Sequence, residues 1–241
     1  MKKELEIHPD ADALVSAAAG RIATLLESTL RQEEMATFVL TGGKTPAPIY
    51  ELLGLPPLVE RIDWNRIQFF WGDERCVPPD SPDSNFGMAW KALVSKLGVP
   101  SSHIHRMLGE LDDPDKAAWL YEQELRKVFP ETGIPSFDLL LLGMGTDGHV
   151  ASLFPGTSWN ESRLVVPNYL PESGAKRISM TFRILNQAQA TLIMVAGSDK
   201  AKALSEVIQD PACDLPAAKI QPALGSLRWM VDAPAATLIR D

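Results

Sequence analysis

Four apolar runs, each ending in a cluster of glycine and charged residues, constrain this chain more than any other feature. Ala36 to Leu40 (ATFVL) runs into TGGKTP, and Arg66 to Trp71 (RIQFFW) into GDER. Phe137 to Leu142 (FDLLLL) runs into GMGTDGH, and Ala190 to Ala196 (ATLIMVA) into GSDK. A strand that is apolar on both sides has to be covered on both sides. These runs therefore read as strands of a mostly parallel sheet with helices on each face, an α/β fold. Ligands of such sheets bind beyond the carboxyl ends of the strands. The four polar segments are thus expected to converge on one edge of the sheet, although they are far apart in the chain.

The text between the runs supplies the helices. Leu14, Ala18, Ile22 and Leu25 recur at helical spacing and predict a helix over Asp10 to Glu33, capped by Asp10 or Asp12. Pro46 opens the next helix, since the first turn does not need its missing N–H. Asn85 to Leu97 and Pro114 to Val128 also read as helices, and Arg228 to Val231 as a short last strand. Cys76 to Asn85 (CVPPDSPDSN) is expected to form a loop over the site. Trp159 to Lys176 is expected to be irregular, with a weak strand at Leu164 to Val166. There is no repeat and no low-complexity tract. The 241 residues are read as a single domain, 1–241, long enough for a full core.

Composition excludes several function classes. The net charge is -8 and no run of Lys and Arg occurs, so no nucleic-acid surface is expected. An acidic chain that binds a phosphorylated metabolite must gather basic groups locally. Cys76 and Cys213 form no CxxC pair, which points to a reducing, cytoplasmic compartment. Met1 to Glu6 leads into no long apolar stretch, so no signal peptide is expected. No window of about 18 apolar residues exists to enter a membrane. No His, Cys or acid cluster has metal-ligand spacing. Nothing in the sequence sets an oligomeric state.

The polar segments carry the chemistry. In TGGKTP the paired Gly42 and Gly43 let backbone N–H groups approach an anion at a helix start, with Lys44 and Thr45 adding a charge and a hydroxyl. The plain alternative is a tight turn with a helix cap, and the spacing is not that of a P-loop. Asp73 and Arg75 in GDER can polarise or hold a substrate, or form a solvated ion pair. In GMGTDGH, glycines including Gly145 allow a tight backbone around Asp147 and His149. Histidine suits proton transfer near neutral pH, and a nearby carboxylate orients the ring. A dinucleotide reading of its glycines is set aside, because Asp147 would bring an anion towards the pyrophosphate. Arg177 and Lys200, with Lys44 and Arg75, are the basic groups that an acidic chain needs. Ser152 and Cys76 lie in no nucleophile elbow.

Together these segments resemble the glucosamine-6-phosphate isomerase/6-phosphogluconolactonase superfamily over nearly the whole chain and in the same order. TGGKTP is similar to the family's SGGSTP loop, and WGDERCVPPDSPDSNFGMA to its WxDER and DSN block. FDLLLLGMGTDGHVASLFPG is similar to its FDLxLLGxGxDGHxASLFPG block, the most specific of the matches. RISMTFRILNQAQ and VAGSDKAKAL resemble two further segments. Thr41 and Lys44 stand where the family has serines, which shifts the expected phosphate contact from hydroxyl towards charge.

The resemblance implies a Rossmann-like, three-layer fold, no metal or organic cofactor, and hydrolysis of a sugar-phosphate lactone. It implies that His149 activates water, with Asp147 as its neighbouring carboxylate and with Asp73 lining the reacting end or helping to fix the phosphate. It implies that Gly42 to Thr45, Arg177 and Lys200 hold the phosphate, with Arg75 at either end of the substrate. Backbone N–H groups near Gly145, or the Arg75 side chain, would stabilise the oxyanion. Two rivals share the fold. A deaminase of the family continues DGHIAFNEP, with an acid soon after the histidine; here no carboxylate follows until Glu161. A sugar-phosphate sensor would carry an added DNA-binding helical domain, for which this chain has no spare length.

Overall fold

The structure, a computed structural model, describes residues 4–130, 133–170 and 174–240. The chain begins with β1 (Glu4–His8), α1 (Ala11–Leu30), β2 (Ala36–Leu40), α2 (Pro46–Leu53) and β3 (Ile67–Trp71). It continues with β4 (Asp73–Arg75), α3 (Asn85–Ala92), β5 (Ile104–His105), α4 (Pro114–Val128) and β6 (Leu139–Gly143). β7 (Val165–Tyr169), β8 (Lys176–Met180), α5 (Phe182–Leu185), β9 (Ala190–Val195), α6 (Ala201–Gln209) and β10 (Ser226–Asp232) complete it. Local chemistry sets several boundaries. Asp10 caps α1 by accepting from Ala13 N at 2.8 Å, and Asp113 caps α4 by accepting from Asp115 N at 2.9 Å.

Seven strands form one sheet in the order β1-β10-β9-β6-β2-β3-β5, every pair parallel. Alternation along its strands divides the core in two. Phe38, Phe69, Trp71, Leu139 and Leu141 pack with α1, α2 and α3 on one face. Val39, Phe70, Leu140, Leu142 and Ile193 pack with α4 and α6 on the other. This is the expected α/β architecture, and the apolar strands are buried on both sides as their composition demands.

Two tyrosines finish the strands next to the site. Tyr50 Oη accepts from Thr41 N and donates to Thr41 O, both at 2.9 Å. Tyr121 Oη does the same at Trp71, at 3.0 and 3.1 Å. Each phenol thus satisfies both backbone groups of one residue just where β2 or β3 gives way to a loop.

Some elements differ from the sequence reading. α1 ends at Leu30, before the expected Glu33. The helix expected over Asn85 to Leu97 stops at Ala92, because Leu93 leaves helical geometry (φ -137°, ψ -65°), and Val94–Lys96 forms a separate 3-10 turn. GDER is not only a loop: β4, β8 and β7 make a second, antiparallel sheet. The weak strand expected at Leu164 to Val166 is present but longer, as β7, Val165–Tyr169; residues 171–173 of this region lie outside the described residues. No described helix is long and apolar enough to cross a membrane.

Candidate active site

The order β9-β6-β2-β3 makes the four apolar runs neighbours, so the loops at their carboxyl ends meet. One cleft results. It is lined by Gly42 to Thr45 after β2, Asp73 and Arg75 after β3, Gly145 and His149 after β6, and Lys200 after β9. Two predicted residues lie outside the lining. Asp147 sits behind His149, and Arg177 on β8 is the register partner of Arg75.

The loop after β6 is folded around His149. Its Nδ1 is 2.6 Å from Asp147 Oδ1, and its backbone N–H donates to the same oxygen at 3.1 Å. Its backbone carbonyl accepts from Gly145 N at 2.9 Å. The ring also lies against Phe154, with centroids 4.3 Å apart. Gly145 is glycine for a steric reason: a β-carbon there would stand 2.1 Å from His149 Nδ1 and 2.6 Å from Asp147 Oδ1. Burial acts to raise the Asp147 carboxyl, but the charge of His149 and its N–H donors outweigh it and hold Asp147 below the usual carboxylate range.

Of the two sources of oxyanion donors expected, backbone N–H groups near Gly145 or the Arg75 side chain, the Gly145 N–H is bound to His149 O and the neighbouring His149 N–H to Asp147. Arg75 lines the cleft. Lys200 Nζ donates to Met144 O at 2.7 Å, which fixes an ammonium beside the loop.

Asp73 is buried, and both carboxylate oxygens are engaged. Ser152 Oγ donates to Oδ2 at 2.6 Å, and Asn85 Nδ2 reaches Oδ1 at 3.2 Å. Neighbouring Glu74 is buried too. It accepts from Arg75 N, Asn85 N, Phe86 N and Ser84 Oγ, between 2.7 and 3.0 Å. Burial nevertheless keeps its carboxyl above the usual range, with Asp73 adding to the rise against those backbone donors. Arg75 Nη1 donates to Asp83 O at 2.6 Å. Glu74 and Arg75 thus tie down the end of the Cys76 to Asn85 loop, which flanks the cleft.

Lys44, Arg75, Arg177 and Lys200 form no ion pair with a carboxylate among the described residues. In a chain of net charge -8, that leaves positive groups gathered around one cleft. Burial and the charge of Arg75 pull the Arg177 guanidinium below its usual range, a like-charge juxtaposition suited to an anion. Thr45 precedes α2 without using its hydroxyl as a cap. No described group of His, Cys, Asp or Glu is arranged to hold a metal ion.

Sequence reading missed Asn85, Ser152 and Phe154. Asn85 lines the cleft, Ser152 holds Asp73, and Phe154 backs His149. Their only signal was membership of the DSN and DGHVASLFPG blocks, because the contact of Ser152 with Asp73 crosses between loops and Phe154 meets His149 only once the loop after β6 is folded.

Comparisons with known proteins bear on the family and the fold. The family described as glucosamine-6-phosphate isomerases/6-phosphogluconolactonase matches residues 9–229. The chain is 38% identical over 239 residues to a 6-phosphogluconolactonase of Nostoc sp., covering 98% of each. It is 41% identical over 203 residues to a 6-phosphogluconolactonase of Haemophilus influenzae, covering 83% of this chain and 86% of the relative. It superposes on the crystal structure of 6-phosphogluconolactonase from Thermotoga maritima with a TM-score of 0.83 at 35% identity, covering 96% of this chain and 100% of the other.

Proposed function

The chain belongs to the glucosamine-6-phosphate isomerase/6-phosphogluconolactonase family, and from that premise we propose that it hydrolyses 6-phospho-D-glucono-1,5-lactone by a water that His149 deprotonates. The activity is that of the pentose phosphate pathway step for which its relatives are named. The observation that carries the chemical part is the 2.6 Å contact between His149 Nδ1 and Asp147 Oδ1 in a cleft rimmed by unpaired cations.

With Nδ1–H bound to Asp147, the imidazole lone pair is at Nε2, where it can take a proton from water. The water oxygen adds to the lactone carbonyl carbon, and the carbonyl becomes an oxyanion. Asp147 stabilises the imidazolium that forms. Collapse of the tetrahedral intermediate breaks the bond from that carbon to the ring oxygen. The imidazolium returns its proton to the departing oxygen, which becomes the 5-hydroxyl of 6-phosphogluconate. Arg75 is a cation available to the developing oxyanion, since the Gly145 N–H is engaged. Gly42, Gly43, Lys44 and Thr45, with Arg177 and Lys200, take the phosphate. That distant anchor orients the lactone and lets binding energy serve the chemical step. Asp73 shapes the reacting end as a fixed anion.

The whole chain, 1–241, acts as one domain in this reading and needs no metal or organic cofactor. A cytoplasmic location fits its two free thiols, Cys76 and Cys213. The test is to supply freshly made lactone and follow its loss above the spontaneous rate, with wild type and His149→Ala side by side. Fast wild-type turnover that collapses in the variant, with no ammonia from glucosamine 6-phosphate, is the expected result. A folded wild-type protein that does not accelerate hydrolysis refutes the proposal.

A further inference from the structure

Asn85 touches both ends of the cleft. It is only 1% exposed, and its backbone N–H is fixed on Glu74 Oε1 at 2.7 Å. That contact seats the residue independently of its side chain. The side-chain amide donates one way, to Asp73 O at 2.9 Å and Asp73 Oδ1 at 3.2 Å. The carbonyl oxygen points the other way, against the backbone of Gly42. A β-carbon on Gly42 would stand 1.7 Å from that oxygen and 2.3 Å from Asn85 Cγ.

The oxygen has no hydrogen-bond partner among the described residues. Leaving a buried carbonyl unpaired is unfavourable, and such groups usually mark a functional constraint. A smaller or apolar side chain would avoid that cost. It would also lose the donor to Asp73 and leave Gly42 without a backstop. Because the amide group is planar, its two edges cannot move independently.

We infer that Asn85 is a positioning residue that couples the two ends of the site, holding Asp73 with its amide edge and backing the Gly42–Gly43 turn with its carbonyl edge. The inference rests on the lactonase reading above, with the substrate phosphate at the glycine turn. An anion seated in that turn bears on Asn85 and so steadies Asp73. Affinity at the phosphate end and rate at the lactone end then share one determinant.

The test is a double-mutant cycle of wild type, Gly42→Ala, Asn85→Ser and the two combined. For each protein, kcat and KM are measured with 6-phosphogluconolactone, and the Kd of 6-phosphogluconate by calorimetry. Gly42→Ala should lose about 100-fold in kcat/KM, because its methyl drives the amide off Asp73. Asn85→Ser should lower kcat about tenfold or more and also weaken product binding. The combined variant should be no worse than Asn85→Ser alone, since the methyl then has room. Losses that multiply in the combined variant overturn the coupling, as does an Asn85→Ser protein with unchanged kcat and Kd.

Asn85→Asp gives a second readout that does not depend on how the serine variant folds. It keeps the shape but sets a carboxylate against Asp73. Its activity relative to wild type should rise as the pH falls and the new carboxyl gains a proton to donate. A ratio that stays flat with pH overturns the proposal. Wild-type turnover above the spontaneous rate tests the lactonase reading by itself, whereas the cycle tests only the coupling.

Discussion

Ser152 Oγ donates to Asp73 Oδ2 at 2.6 Å, a bond between residues 79 positions apart that joins the loop after β6 to the strand end after β3. Asn85 engages the other carboxylate oxygen, so Asp73 is held from two sides. Ser152→Ala removes one of these charge-assisted bonds, an effect of about 1.5–3 kcal/mol on stability. Urea unfolding should show that loss, and kcat should fall while KM changes less. Unaltered kcat in the alanine variant would mean that Asp73 is placed without Ser152.

Asp147→Asn keeps the size of the side chain but replaces the acceptor that orients His149. Where an acid sets the histidine tautomer, such a change lowers kcat by up to about 10⁴. The pH dependence of stability follows from the lowered Asp147 carboxyl. Its contribution is complete above the unfolded value of about 3.9 and is lost only as the pH falls through the lower folded value. The stability difference between wild type and Asp147→Asn should therefore stay level from neutral pH down to about 4 and shrink below it. A gap that closes already near neutrality would show that the carboxylate is not held in this way.

Two nearby glycines, Gly143 at the end of β6 and Gly145 in the loop after it, predict opposite kinetics. A methyl on Gly145 strikes the His149 ring and Asp147, whereas one on Gly143 meets nothing within 4 Å and projects into open space. Displacing a reacting group by about 1 Å can cost about 100-fold in rate. Gly145→Ala should thus lose kcat, while Gly143→Ala should keep most of it and raise KM by crowding the cleft. Steady-state kinetics on the two variants separate the outcomes, and a reversed order would discredit the assignment of the loop.

Tyr50→Phe strips Thr41 of the partner for both its N–H and its C=O. Both groups are buried, so unfolding free energy should drop by about 1–3 kcal/mol. The turn that follows Thr41 carries the proposed phosphate contacts, so KM should rise with little change in kcat. Tyr121→Phe, which acts on Trp71, should cost similar stability. Thermal unfolding of the pair against wild type checks both.

The extent to which sequence foretold these features follows from how local each one is. β2 matches its expected span because all five residues are buried, and α4 matches because Asp113 and Pro114 mark its start. The convergence of four loops was legible because apolar runs flanked by glycine dictate a covered parallel sheet. β1 was invisible because ELEIH, with charges and apolar residues interleaved, forms a strand only by pairing with β10 more than 200 residues later. The second sheet was missed for the same reason: DER pairs with RIS across about 100 residues, a tertiary override of weak local preference. Asn85 escaped notice because its importance lies in Asp73 and Gly42, not in its neighbours.

Gly72 lies between the two sheets. Its N–H donates to Leu40 O at 3.0 Å, and its C=O accepts from Met180 N at 2.9 Å. One residue therefore closes the parallel sheet with its N–H and opens the antiparallel one with its C=O. Side chains alternate along a strand, so adding or deleting a single residue here would turn Asp73 to the opposite face. Elsewhere the chain can absorb length changes in surface loops. At this seam an indel would leave two sheets still able to form but aim the Asp73 carboxylate away from the cleft.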